Sequence, residues 1–295
     1  MTTAPYGRML TAMATAFCED GSVDLDGTAR IARHLIDHGH DGVVVSGTTG
    51  ESPTTTVEED YEILRAVIDA VGDDGSVIAG VGTNSTAHSV ELAHGAAKAG
   101  ADALLLVTPY YNKPGPRGIL GHFTEVAQAT DVPVMLYDVP GRTGQAIAPE
   151  TYEAALRLPT VTSVKHATGD PLATVALTEM GYHVYSGDDA LILGYLAHGG
   201  CGLVSVAGHA IGPQMRAVIE AFMGGDAAAA LAQFRVVVPV IKAIMGVPNY
   251  GATTAKAALQ LLGVLDNRRV RGPLAALDEA EYAALGAAFQ AANLI

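Results

Sequence analysis

Lys165 ends an apolar, β-prone run, Val161-Thr162-Ser163-Val164-Lys165, and His166-Ala167-Thr168-Gly169-Asp170 follows at once. A strand that ends inside a protein leaves its last side chain where an ammonium ion is costly to keep. Desolvation lowers the pKa of such an amine, and the neutral amine can attack a carbonyl to form a Schiff base. The chain has five lysines, and the other four, Lys98, Lys113, Lys242 and Lys256, lie in segments that read as helices or loops. The competing reading is a lysine that snorkels from a strand end or pairs with a carboxylate.

Other polar residues follow apolar runs in the same way. They are Gly47-Thr48-Thr49-Gly50-Glu51-Ser52, Gly82-Thr83-Asn84, Thr108-Pro109-Tyr110-Tyr111-Asn112, Tyr137-Asp138-Val139-Pro140-Gly141-Arg142-Thr143-Gly144, Ser186-Gly187-Asp188-Asp189 and Val204-Ser205. Each has a plain alternative. The 47–50 stretch can be a tight turn before a helix, although a turn alone does not call for two hydroxyls between two glycines. Tyr110, Tyr111 and Tyr137 can be packing residues with satisfied hydroxyls. Arg142 can be half of a surface ion pair. Asp188-Asp189 suggests a metal site, but no histidine or carboxylate lies at ligand spacing, so a helix N-cap is favoured. His166, His198 and His209 read as structural.

The elements that must carry these groups alternate. Apolar runs of strand length occur at 9–15, 42–46, 77–80, 103–107, 132–138, 161–165, 183–186 and 202–206. Helical stretches fall between them at 24–38, 57–71, 87–99, 116–129, 149–156, 171–180 and 190–198. Eight strands joined by helices imply a parallel sheet, because parallel strands need crossover connections. The strands are apolar on both faces, as in a sheet covered by helices. The pattern predicts an α/β fold, a (β/α)8 TIM barrel, in which reactive groups stand at the carboxyl ends of the strands. An open doubly wound sheet is the alternative, weakened by the lack of a Gly-x-Gly-x-x-Gly turn after the first strand. Beyond about residue 208 only helical patterns remain, at 212–223, 226–245, 253–262 and 278–293. The expected organisation is a catalytic barrel over 1–224 and a C-terminal helical extension over 225–295.

Composition narrows the function. The net charge of −14 argues against a nucleic-acid partner, which would need a basic face. The apolar runs read as too short to span a bilayer, and no signal-peptide flanks are present. The two cysteines, Cys18 and Cys201, have no metal spacing and read as free thiols of a cytoplasmic protein.

The motifs around Thr48-Thr49, Tyr110-Tyr111, Tyr137 to Gly144, Val164 to Asp170 and Ser186 to Ala190 resemble the dihydrodipicolinate synthase family of pyruvate-dependent class I aldolases. The resemblance covers about 7–262. It implies that Lys165 forms an imine with pyruvate, and that the derived enamine attacks the aldehyde of L-aspartate-4-semialdehyde. It further implies that Tyr137 moves protons, linked to Thr48 and to Tyr111, the latter reaching in from a neighbouring subunit. Thr49, Gly187 and the region of Val204 become substrate-binding positions, with Thr49 and the backbone near Val204 at the pyruvate carboxylate. Arg142 is implied to bind the semialdehyde carboxylate. No cofactor or metal is expected, since the imine is covalent. The implied assembly is a tetramer made of two tight dimers.

The chain departs from the family pattern in places. His166 stands where the family is usually acidic, Asp138 where asparagine is common, and Pro248-Asn249-Tyr250-Gly251-Ala252-Thr253-Thr254-Ala255-Lys256 replaces Asn-Pro-Ile-Pro-Val-Lys. At the positions implied to bind the inhibitor lysine, Asn84 and Tyr110 remain. Val57, Asp60 and His88 replace other groups, so lysine inhibition is expected to be weak or absent. The rivals are a sugar-acid or sialic-acid aldolase, a hydratase-aldolase, or a non-catalytic paralogue. Arg142 argues against the aldolases, and the intact set Lys165, Tyr137, Thr48 and Tyr111 argues against the paralogue.

Overall fold

The strands close. In the computed structural model, which describes residues 3–295, eight parallel strands pair in sequence order and the last pairs with the first. They are β1 Met9–Ala12, β2 Gly42–Val45, β3 Ser76–Gly80, β4 Ala103–Val107, β5 Val134–Asp138, β6 Val161–His166, β7 His183–Ser186 and β8 Gly202–Ser205. Each lies within the predicted stretch or differs from it by one residue at an end. The double-sided apolar character has its expected cause. Leu10, Val44, Ile78, Leu105, Met135, Tyr137, Tyr185 and Val204 pack inside the barrel. Their neighbours Val43, Val45, Val77, Leu104, Leu106, Leu136, Val164 and Val184 pack outward against the helices. This period of two decides the fate of Lys165. Val164 points outward, so Lys165 points inward.

The helices are α1 Leu25–Asp37, α2 Val57–Val71, α3 Thr86–Ala99, α4 Gly115–Gln128, α5 Pro140–Thr143, α6 Pro149–Ala155, α7 Ala173–Met180, α8 Ile192–Ala197, α9 Gly208–Met223, α10 Ala227–Met245, α11 Ala252–Leu261 and α12 Glu279–Ala291. Several starts are set by side chains that accept the free amides of the first turn. Asp24 caps α1, while Thr56 with Glu59 and Asp278 with Glu281 form capping boxes on α2 and α12. Two differences from the pattern have local causes. The turn α5, not predicted, closes because the amides of Arg142 and Thr143 both donate to Val139 O, at 2.9 and 3.0 Å. Helix α9 starts four residues early and breaks its geometry at Ile211, two residues before Pro213, which lacks an amide hydrogen.

A second core joins the extension to the barrel. Leu196, Leu203, Ile211 and Met215 pack with Val237, Ile241, Ile244, Leu285 and Phe289. Helix α10 is long and apolar enough to cross a membrane by length and composition, contrary to the sequence reading of its runs. Its Val237, Val240, Ile241 and Ile244 are nevertheless buried in this core, so it behaves as a packing helix.

The extension is also tied down by charge. Lys256 of α11 is 1% exposed, and its Nζ lies 2.5 Å from Glu51 Oε1 and 2.8 Å from Arg269 O. The Arg271 amide donates to Glu51 Oε2 at 2.8 Å, and its guanidinium grips both oxygens of Glu59, at 2.7 and 2.6 Å. Both cations lie over the Phe17 ring, at 3.9 and 4.4 Å from its centroid. Burial lowers the Lys256 pKa and Glu51 raises it, for a result of about 8, so Lys256 is mostly charged at neutral pH. Lys256→Met would leave Glu51 buried without its cation, a change that costs about 3–5 kcal/mol. Chemical denaturation at pH 7 should show that loss. A variant as stable as the wild type would mean that the pair does not hold the extension.

Candidate active site

Lys165 and Tyr137 are register partners on adjacent strands, and Lys165 is in turn opposite Tyr185. The Lys165 Nζ lies 4.3 Å from the centroid of the Tyr137 ring. Lys165 is 4% exposed, and burial, partly opposed by Asp189 and aided by Arg142, lowers its pKa to about 7. Near neutral pH it is therefore half free amine, the form that attacks carbonyls. Burial pushes the Tyr137 phenol up to about 12, so it holds its proton, and it is hydrogen-bonded to Thr48. A phenol that is protonated at rest and beside a hydroxyl can give a proton and take it back.

A cavity of about 570 Å³ opens above these groups, with Thr48, Tyr110, Tyr111, Tyr137, Val139 and Arg142 among its walls. Lys165 packs against the ring of Tyr137, which is one of these walls. Thr48 is exposed to the cavity and Thr49 is buried, both in a turn whose ends, Ser46 and Glu51, have left-handed backbones at φ 50 and 61. Non-glycine residues hold that conformation only where the surroundings enforce it, and Glu51 is enforced by Lys256 and Arg271. The contacts of Glu51 with Lys256 and Arg271 have no signal in the sequence, where Glu51 reads as part of a turn and Lys256 lies in a helical segment.

At Gly187 the chain passes close to the Lys165 side chain. Its amide donates to His166 O at 2.8 Å, and a Cβ there would lie 2.7 Å from Ala167 Cβ and 3.2 Å from Lys165 Cε. Val204 is fully buried in the barrel interior. The next strand end is fixed by Asp189, which the sequence reading takes with Asp188 as a helix N-cap. Ser205 Oγ donates to Asp189 Oδ1, and the amides of Val206 and Ala207 donate to Oδ2 at 3.0 and 3.2 Å. Asp188 accepts from the Ala190 amide at 3.0 Å, which is the N-cap expected of this pair.

Tyr111 stands at the cavity rim. Its backbone is left-handed at φ 73 and its side chain is 88% exposed. Arg142 is likewise exposed at the rim, with its Cζ 5.1 Å from the centroid of the Tyr250 ring.

The two departures in β5 and β6 are also register partners. Asp138 Oδ2 accepts from Tyr152 Oη at 2.9 Å and from the Ile147 amide at 3.2 Å, so it anchors the far end of the loop that carries Arg142. Burial raises its pKa to about 6. His166 is buried with Nδ1 2.8 Å from Tyr195 Oη, and burial lowers its pKa to about 4, leaving it uncharged. The field at Lys165 is set by burial, Asp189 and Arg142. Asp60 of α2 is turned inward, where its carboxylate accepts from Thr55 Oγ1 at 2.8 Å.

Known proteins are similar to the chain along nearly its whole length. The family model described as the dihydrodipicolinate synthetase family matches residues 5–292. The chain belongs to this family. It is 53% identical over 274 residues to a protein of Acidothermus cellulolyticus named 4-hydroxy-tetrahydrodipicolinate synthase, covering 92% of this chain and 87% of that one. It is 48% identical to 4-hydroxy-tetrahydrodipicolinate synthase 2 of Streptomyces coelicolor, covering 94% and 92%. Among solved structures, dihydrodipicolinate synthase DapA-2 of Bacillus anthracis superposes with a TM-score of 0.92 at 40% identity, covering 97% and 98%. A DHDPS of Cyanidioschyzon merolae with lysine bound superposes at 0.95 and 38% identity, covering 99% and 100%.

In this family member the amine should show its pKa. Free Lys165 amine would rise from about one part in ten at pH 6 to about nine in ten at pH 8. The rate of pyruvate-dependent borohydride trapping should climb through pH 7 and level off above pH 8, with the label on Lys165. An inflection near pH 10, or a label on another lysine, would contradict this account of the site.

Proposed function

We propose that the chain is a cytoplasmic lyase that condenses pyruvate, held as an imine on Lys165, with L-aspartate-4-semialdehyde. The product is 4-hydroxy-tetrahydrodipicolinate, on the route to diaminopimelate and lysine. The observation that carries the reading is the buried amine facing the Tyr137 ring beneath a cavity rimmed by an arginine. The name borne by relatives about half identical over almost the full length supports the choice of second substrate. Two free cysteines agree with a reducing compartment.

The neutral Lys165 amine adds to the pyruvate ketone, and loss of water gives the imine. Loss of a methyl proton gives the enamine, whose carbon attacks the aldehyde. The semialdehyde amino group then displaces Lys165 by transimination, which closes the ring and frees the lysine. Tyr137 serves as the proton carrier, with Thr48 as its neighbour in the relay and Tyr111 of an adjoining subunit as the third member. Thr49, Gly187 and the Val204 backbone shape the pyruvate end, and Arg142 receives the semialdehyde carboxylate. No cofactor enters these steps.

Two measurements follow from the assignment. Arg142→Ala should lower kcat/KM for the semialdehyde by the worth of a charged hydrogen bond, about 1.5–3 kcal/mol. Imine trapping should persist in this variant, with its pH inflection moved upward because a neighbouring positive charge is gone. Failure of pyruvate trapping would show that Arg142 serves pyruvate instead.

The exposed Tyr111 gives the second test. We propose that the active form is at least a tight dimer, assembled by family resemblance into a tetramer of two dimers. A structural relative at 32% identity is described as a monomeric variant, so the state must be measured on this chain. Activity and sedimentation, followed together on dilution, should fall in step, and a fully active monomer would refute the crossing of Tyr111. In the same assay millimolar lysine should inhibit little, because Asp60 is already engaged by Thr55 and His88 replaces an acid. Strong inhibition below millimolar would mean that the interface binds lysine through other groups.

A further inference from the structure

Tyr250 packs against Arg142, a residue of the cavity wall, and the mechanism above gives it no role. It lies between α10 and α11, 38% exposed, with its amide donating to Val247 O at 3.2 Å. Its ring faces the Arg142 guanidinium at 5.1 Å. The next residue, Gly251, has φ +111, and a Cβ there would stand 3.8 Å from Arg142 Nη2. The backbone of the extension therefore closes on Arg142 as well as the ring.

Among the described residues Arg142 has no carboxylate partner. An exposed arginine without one samples many rotamers, and each substrate that uses it must first restrict them. A tyrosine face restrains a guanidinium while leaving its N–H edge free for a carboxylate. We propose that Tyr250 is a positioning residue for the carboxylate-bearing aldehyde. On the reading of the site given above, its ring holds the Arg142 fork over the cavity mouth before that substrate arrives. The pyruvate step at Lys165 does not use it. The substrate class selected is a short aldehyde whose carboxylate reaches the rim while its carbonyl reaches the enamine.

The test uses the full chain and four variants: Tyr250→Leu, Tyr250→Phe, Arg142→Ala and the double variant Tyr250→Leu/Arg142→Ala. KM for each substrate, kcat and pyruvate–borohydride trapping are measured, with thermal melting as the check on folding. Tyr250→Leu should raise KM for the semialdehyde by about three- to tenfold, the range of a cation–π contact at a partly exposed site. Its KM for pyruvate and its trapping rate should not change. Tyr250→Phe keeps the ring and should stay within about twofold of the wild type. In the Arg142→Ala background, Tyr250→Leu should add nothing. The proposal is overturned if Tyr250→Leu shifts both KM values equally, if Tyr250→Phe loses as much as Tyr250→Leu, or if the two losses add. A wild-type protein that traps no pyruvate at Lys165 would instead bring down the underlying reading, and this one with it.

Discussion

Taking the Lys165 ammonium out of water costs several kcal/mol unless something compensates it. The barrel interior compensates it only weakly. The amine faces a tyrosine ring, and the carboxylate of Asp189 acts on it but is bound to Ser205 and two backbone amides. The cheaper outcome is to release the proton, and the pKa near 7 records that release. Much of the local architecture follows from keeping the amine in this state. Gly187 leaves room beside its Cε, Tyr137 packs its ring against it, and His166 next to it in sequence is uncharged.

Lys256 shows what a partner changes. It is as buried as Lys165, yet Glu51 lies at bonding distance and Arg269 O accepts a second hydrogen bond. Burial lowers both pKa values, but the carboxylate offsets part of the effect at Lys256 and leaves it near 8. One lysine is thus partly relieved of its proton and the other is a charged cross-link, although both are buried lysines. The difference lies in what the fold puts opposite each amine. The cross-link also touches the chemistry, because Glu51 ends the turn that presents Thr48 to Tyr137.

The barrel was legible in the chain because its evidence is local and repeated. Runs such as Ala103–Val107 and His183–Ser186 match the observed strands at both ends, and the caps at Asp24 and Asp278 are readable from single residues. Lys165 and Tyr137 stood out as candidates because a reactive type fell near a strand end, and the two are register partners. What escaped was long in sequence and short in space. Glu51 and Lys256 are 205 residues apart, and Glu59 and Arg271 are 212 apart. No periodicity announces such pairs, and a lone lysine on a helix reads as solvated. Helix α5 escaped for a different reason, being a single turn closed by Val139 O and shorter than any helical period.

The departures from the family pattern fall into one physical scheme. His166 and Asp138 are neutralised or occupied by tyrosines, and so leave the nucleophile's field to Asp189 and Arg142. Asp138 instead holds Ile147, at the far end of the loop that carries Arg142. The replaced stretch around Tyr250 reaches the same arginine from the other side. Lys256, within that stretch, is seated on Glu51, so the replacement keeps the extension packed on the barrel. Asp138, through Ile147, and Tyr250 thus bear on Arg142 from two sides. Changes around that arginine alter the cavity wall, whereas the state of the Lys165 amine is set first by its burial.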